Sequence, residues 1–177
     1  MPEREREAAR EREAEAAPTR FYDTILEQRN EENEKRKNGR IVIKGKEIPF
    51  EQGRHGILKY YLFPSIGLRR DCALNTMELF VHELRTHSGR HTHQGGLAIF
   101  VLEGKGYTIV DGVRYDWEAG DAILLPVKPG GCEHQHFNLD TKPSRWLALS
   151  PETLRVLLDR NLVQNESHPD WKGIVGA

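Results

Sequence analysis

Five of the eight histidines fall in two short clusters: His87, His91 and His93 in one, His134 and His136 in the other. His91-Thr92-His93 sets two imidazoles two residues apart, and on a strand residues i and i+2 point to the same face. Two neutral imidazoles on one face form a bidentate grip for a borderline divalent metal. His134-Gln135-His136 repeats the arrangement further along, on a strand placed to lie opposite. One His-x-His pair arises often by polar alternation on an exposed strand. Two pairs, each in a turn–strand frame, point to a metal site shared between strands. The plain alternative is a metal-free barrel with satisfied polar residues, but burying several imidazoles without partners is costly. His55, His82, His87 and His168 have no comparable frame and read as solvated or core histidines.

The elements around these residues read as strands. Ile41-Val42-Ile43, Leu58 to Leu62 and Glu78 to Leu84 carry β-branched and aromatic side chains, and Leu97 to Leu102 is strongly apolar. Tyr107 to Val110 and Val113 to Tyr115 flank Asp111-Gly112, a tight hairpin dipeptide. Ala122 to Leu125, Glu133 to Asn138 and Arg145 to Leu149 complete the series. Many short strands with glycine-rich turns predict an all-β sandwich or barrel. Ser150 and Pro151 then read as N-cap and first residue of a helix running to about Asn161 through Leu154, Val156, Leu157 and Leu158. The tail after it reads as irregular. Glu103-Gly104-Lys105-Gly106 is superficially a phosphate loop, but a glycine turn between strands explains it better.

The first forty residues differ. Met1 to Ala17 is nearly all Glu, Arg and Ala, either a solvated helix or a frayed tail. A second helix starts near Pro18 with Phe21, Tyr22, Ile25 and Leu26 as its apolar face. It is supported by Glu31 with Lys35 and Glu32 with Arg36, and ended by Asn38-Gly39 with Gly39 as a left-handed cap. The organisation is therefore a charged helical arm over 1–40 and one domain over 41–177, with a metal-binding core at 78–150 and a C-terminal helix at about 151–161. The apolar face of the arm serves either a dimer contact or its own barrel. The net charge of -1 over 177 residues argues against broad nucleic-acid binding. No run approaches the roughly 18 apolar residues of a membrane span, and no secretory signal opens the chain. The two cysteines, Cys72 and Cys132, read as free thiols in a reducing, cytoplasmic setting.

The chain resembles the cupin superfamily. Its first conserved block is matched by Gly89-Arg90-His91-Thr92-His93-Gln94-Gly95-Gly96-Leu97 and the apolar run to Gly104 and Gly106. The second is matched by Gly120-Asp121, the apolar run to Pro126, then His134-Gln135-His136-Phe137-Asn138. The resemblance implies a cupin β-barrel, a double-stranded β-helix of jelly-roll type, with His91, His93 and His134 as metal ligands. Two departures stand out: the usual glutamate ligand falls at Leu97, and the loop from Pro126 to His134 is extended. Gentisate dioxygenases and related ring-cleaving cupins also lack that glutamate and hold iron with three histidines. Their His-x-His-x-Asn is similar to His134–Asn138, which implies that His136 contacts substrate as a catalytic residue.

The resemblance implies a mononuclear non-haem Fe(II) dioxygenase, with Mn, Ni or Zn as other cofactors. It would cleave a C–C bond in a small hydroxylated aromatic acid or related chelating, enolisable substrate, with O₂ as co-substrate and a homodimer or higher homo-oligomer as the assembly. Two other readings remain: a zinc or manganese isomerase, cyclase or lyase working without O₂, and a non-enzymatic ligand-binding or sensor barrel. Arg85 and Arg114 are candidate anion forks and Gln94 a polar neighbour of the site. Trp117, Phe100 and Phe137 read as core, and Cys132 as lining the pocket mouth rather than binding metal.

Overall fold

The computed structural model describes residues 3–7, 20–94, 96–153 and 162–173. The chain divides into two compact units, Met1–Gly39 and Arg40–Ala177. In the first, helix α1 spans Phe21–Asn38 and carries basic residues in its last turn, where they oppose the helix dipole. Its ion pairs bridge three residues rather than four: Lys35 Nζ to Glu32 Oε1 at 2.8 Å and Lys37 to Glu34 at 3.8 Å. Gly39 ends the helix in an extended conformation, φ -67° and ψ 159°, and not as a left-handed cap. Its N–H still reaches the Lys35 carbonyl, so that carbonyl is satisfied without a left-handed turn.

The second unit is built from two antiparallel sheets. One has six strands, in the order β1 (Glu51–Gln52), β2 (Ile57–Leu62), β3 (Met77–Leu84), β10 (Ser144–Pro151), β5 (Leu97–Glu103) and β8 (Ala122–Leu125). The other has five: β11 (Val163–Glu166), β4 (Arg90–His93), β9 (Cys132–Asn138), β6 (Lys105–Val110) and β7 (Val113–Glu118). The β6–β7 hairpin turns at Asp111 and Gly112, with φ of 49° and 83°. Both central residues are left-handed, as a type I′ turn requires, so the Asp-Gly signal acts as its chemistry dictates. Gly104 turns β5 into β6 at φ 87°, and a Cβ there would collide with Ser144 Oγ. The glycine turn is therefore structural.

The inward face of the six-stranded sheet alternates with period two. Along β10, Ser144, Trp146, Ala148 and Ser150 are buried while Arg145, Leu147, Leu149 and Pro151 are only partly so. Leu58, Phe80, Leu97, Ile99, Leu125, Cys132, Trp146 and Ala148 pack as one core, and Leu84, Val101 and Trp117 as a second. Fully burying an aliphatic or aromatic side chain contributes about 1.5–3 kcal/mol, so these clusters hold the sheets together.

Three expectations change. Ile41-Val42-Ile43 forms no strand; Ile41 is largely exposed, and a short 3₁₀ turn follows at Gly45–Glu47. Ser150 and Pro151 belong to β10, where they pair with Glu78 and Met77, so ladder pairing outweighs the local helix-start signal. Helical residues begin at Glu152, and the rest of the expected helix, 154–161, lies outside the described residues. The tail is not wholly irregular, because β11 pairs with β4 through Val163 opposite Thr92 and Gln164 opposite His91. That strand satisfies the backbone groups along an edge that would otherwise be left open. Among the described residues, no helix is long and apolar enough to cross a membrane.

Candidate metal centre

Strand β4 carries His91 and His93 on one face, and β9 runs antiparallel beside it with His134 directly opposite His91. Same-face spacing along one strand and direct pairing across two therefore build a triangle. Ring centroids are 5.3 Å apart for His91 and His93, 4.4 Å for His91 and His134, and 4.7 Å for His93 and His134. Their donor atoms all lie within 4.8 Å of one another, which makes the three a group able to hold one metal ion.

The donor set fits a metal in its tautomers as well as its spacing. His91 Nδ1 lies 3.2 Å from the Gly89 carbonyl, and His134 Nδ1 lies 3.0 Å from the Cys132 carbonyl. His93 Nδ1 is hydrogen-bonded to the Gln94 carbonyl. A carbonyl only accepts, so each ring carries its proton on Nδ1 and presents the Nε2 lone pair. Burial, then the neighbouring imidazoles, pushes His91 and His134 well below the usual histidine range. Burial also lowers His93. Three neutral, pre-oriented rings are what a divalent cation binds.

His136 is held by a side chain instead. Its Nδ1 lies 2.7 Å from Thr108 Oγ1, and the same oxygen accepts the Trp117 indole N–H at 3.0 Å. A hydroxyl has one hydrogen and two lone pairs, so the contact fixes the place of the ring and is compatible with either tautomer. Burial leads the causes that hold this ring neutral. Its backbone is clamped to Ser88, whose Oγ accepts the His136 N–H at 2.9 Å. Trp117 reaches Thr108 across Gly106, where a Cβ would meet the indole ring at 2.6 Å.

These rings face a cavity of about 250 Å³ between the sheets. Leu97, at the position of the absent glutamate, is buried in its wall. Gln94 also lines it, with a buried Oε1 that has no hydrogen-bond partner among the described residues. The two arginines are elsewhere. Arg85 pairs with Glu83 at 3.2 Å, while Arg114 pairs with Asp116 and lies 3.9 Å over the Tyr107 ring. Neither lines the cavity, because each finds its carboxylate two residues away in sequence. Cys132 is a core residue and not part of the pocket mouth; burial and Asp111 push its thiol up to about 11, which disfavours a thiolate ligand. Trp117 is core, but Phe100 is 44% exposed and Phe137 stacks on Tyr107 at 4.6 Å, away from the cavity.

The cavity also holds residues that the motifs did not mark. His55, from the β1–β2 loop, sits 5.3 Å from the His91 ring. His82 lines the cavity from β3, and Tyr60, Phe63, Phe80 and Trp146 give it an aromatic wall. The sequence signal for His82 was faint: Glu78 and His82 share a face of an otherwise apolar strand. His87 and His168 do not line the cavity.

Residues 80–150 match the profile of the cupin domain. Among solved structures, the polyketide cyclase RemF from Streptomyces resistomycificus aligns at 17% identity and a TM-score of 0.52, covering 74% of this chain and 89% of that one. A mutant of the oxalate decarboxylase from Bacillus subtilis aligns at 16% identity and a TM-score of 0.53, over 72% of this chain and 33% of that one. A conserved double-stranded β-helix protein from Klebsiella pneumoniae aligns at 16% identity and a TM-score of 0.50, over 72% of this chain and 99% of that one. No curated protein matches the sequence. At such identities the likeness speaks for the fold. The paired sheets, the three-histidine cluster between them and the matching profile together show that this chain carries a cupin domain with the cupin fold.

Proposed function

We propose that the protein is a mononuclear metal enzyme, of the non-haem Fe(II) dioxygenase type, acting on a small substrate that chelates through adjacent oxygens. The observation that carries this reading is the trio of neutral histidines, whose donor atoms lie within 4.8 Å of one another and whose Nδ1 atoms are hydrogen-bonded to carbonyls, leaving Nε2 for a metal. Iron held there would offer open positions to a bidentate substrate and to O₂, together with the redox capacity for C–C cleavage. The protein's own residues supply the rest. His136, a neutral ring fixed in the cavity wall, hydrogen-bonds a substrate oxygen. The aromatic wall excludes water and strengthens every polar contact inside.

A second reading follows from the same His136. A neutral imidazole fixed in the cavity wall is also what metal-assisted cyclisation or isomerisation needs. Zinc or manganese would serve there without O₂. Protein prepared under argon, analysed for metal and tested in an oxygen electrode with catechols, salicylates and diketones, separates the two. Iron content with oxygen uptake matched to substrate loss supports the dioxygenase. Turnover under argon with stoichiometric zinc or manganese overturns it in favour of the second reading, and tight binding without turnover points to a sensor barrel.

A further inference from the structure

The cavity has two unlike sides. His91, His93, His134 and His136 line it from the five-stranded sheet. The other side begins beside His136 and continues as a chain of rings. Trp146 lies 4.9 Å from His136, and Phe80 lies edge-on to Trp146 at 6.1 Å. Tyr60 lies 5.1 Å from Phe80, and Phe63 stacks on Tyr60 at 5.4 Å. All four rings line the cavity, and Leu58 and Leu97, both buried, line it with them. Such a wall attracts a ligand chiefly by the apolar area it covers.

Positive charge is placed elsewhere. Among the described residues, no lysine or arginine lines the cavity. Glu83 engages Arg85 at 3.2 Å and Arg145 at 2.8 Å, and Arg90 pairs with Glu133 at 3.4 Å. Successive strand residues point to opposite faces, so Glu83 holds its arginines on the face of β3 turned away from the cavity, while Glu78, Phe80 and His82 line it. The carboxyl group in the wall is that of Glu78, which is 3% exposed. A carboxylate on a ligand would therefore meet an acid and apolar rings. A buried anion without a cationic partner is costly.

We propose that the ligand joins a chelating pair of oxygens to an uncharged, apolar body, a ring or branched alkyl group, that lies on Tyr60, Phe80 and Leu97. The assignment deepens the proposed metal-chelate function and rests on it. It narrows the substrate class from hydroxylated aromatic acids to catechols, enols or diketones without a free carboxylate. The cavity of about 250 Å³ limits the body to roughly one ring with a short substituent.

The test is calorimetric titration under argon of cobalt(II)-loaded protein with catechol, 4-isopropylcatechol, 3,4-dihydroxybenzoate and 3,4-dihydroxybenzylamine. The isopropyl and carboxylate groups are alike in size, so comparing them isolates charge. In the wild type 4-isopropylcatechol should bind about tenfold more tightly than catechol, and the benzoate about a hundredfold more weakly than the isopropyl compound. The benzylamine should bind at least about threefold more weakly than the isopropyl compound. In Tyr60→Ala and in Leu97→Ala the isopropyl advantage should fall by about threefold or more, while catechol binds within about threefold of wild type. Equal binding of catechol and 4-isopropylcatechol by the wild type overturns the proposal without any variant. A benzoate that binds as tightly as the isopropyl compound also overturns it, and so does such a benzylamine, which would make the wall a cation site around Glu78. An advantage that persists in both variants with normal cobalt content overturns the placement on this wall. If catechol itself does not bind the cobalt-loaded protein, the metal-chelate reading falls and this one with it; if catechol binds and the series is flat, this one falls alone.

Discussion

The two sheets that enclose the cavity divide the labour. The five-stranded sheet carries His91, His93, His134 and His136, each with Nδ1 hydrogen-bonded within that sheet or its flanking turns. The six-stranded sheet carries Phe80, His82 and Trp146, whose contacts are mostly ring on ring. One surface is rigid and polar, with every imidazole oriented. The other is a packed aromatic wall with one buried imidazole, His82, edge-on to Trp146. The contrast teaches that ligand geometry is fixed by local hydrogen bonds, while cavity shape is fixed by long-range packing.

The largest effect should come from breaking the wall. Trp146→Ala removes a 2%-exposed ring from the core and should cost about 3–5 kcal/mol of stability. Urea unfolding reads that loss, and metal content in the folded protein should stay within about threefold of wild type. The converse change is His134→Ala, which removes one donor of three. Metal affinity should fall by about a hundredfold or more and oxygen uptake should cease. Elemental analysis checks it, and metal retained at the wild-type level would exclude His134 as a ligand.

Acid should separate the sheets next. In the unfolded chain His82 titrates near 6.5, but in the fold it stays neutral down to about 3. Below pH 6.5 the unfolded state therefore takes up a proton that the native state refuses. Stability of the metal-free protein should fall as pH drops through the window from about 6.5 to about 3, by up to ~1.4 kcal/mol per unit from this ring. Between pH 7 and pH 5, His82→Leu should flatten the dependence by about 2 kcal/mol in urea unfolding. The smallest effect belongs to Thr108→Val. It strands the Trp117 N–H and His136 Nδ1 at a cost of about 1–2 kcal/mol, leaves metal binding intact, and removes the partner that holds the His136 ring. Imidazole nitrogen NMR should show one tautomer in the wild type and a mixture in the variant.

Much of the fold was legible because its signals are local. Asp111-Gly112 prefers two left-handed residues whatever surrounds it, and the hairpin follows. His91-Thr92-His93 shares a face on any strand. What could not be read depends on partners distant in sequence. β11 exists because β4 has an edge to fill, and Val163–Glu166 by itself has little strand character. Ser150-Pro151 makes a sound helix start in isolation, yet the β3 ladder claims both residues. Arg85 and Arg114 looked like anion forks until Glu83 and Asp116 were seen to engage them.

The amino-acid order alone determined the chemistry of the donor set, since three imidazoles in two His-x-His frames carry their spacing and softness wherever they are placed. Only the tertiary structure decided what stands across from them. That His82 and Trp146 close the cavity depends on β3 pairing with β10 in one register, and a shift of one residue would turn both outward. Register is set by the summed packing of two whole sheets, and no short stretch of sequence contains that sum.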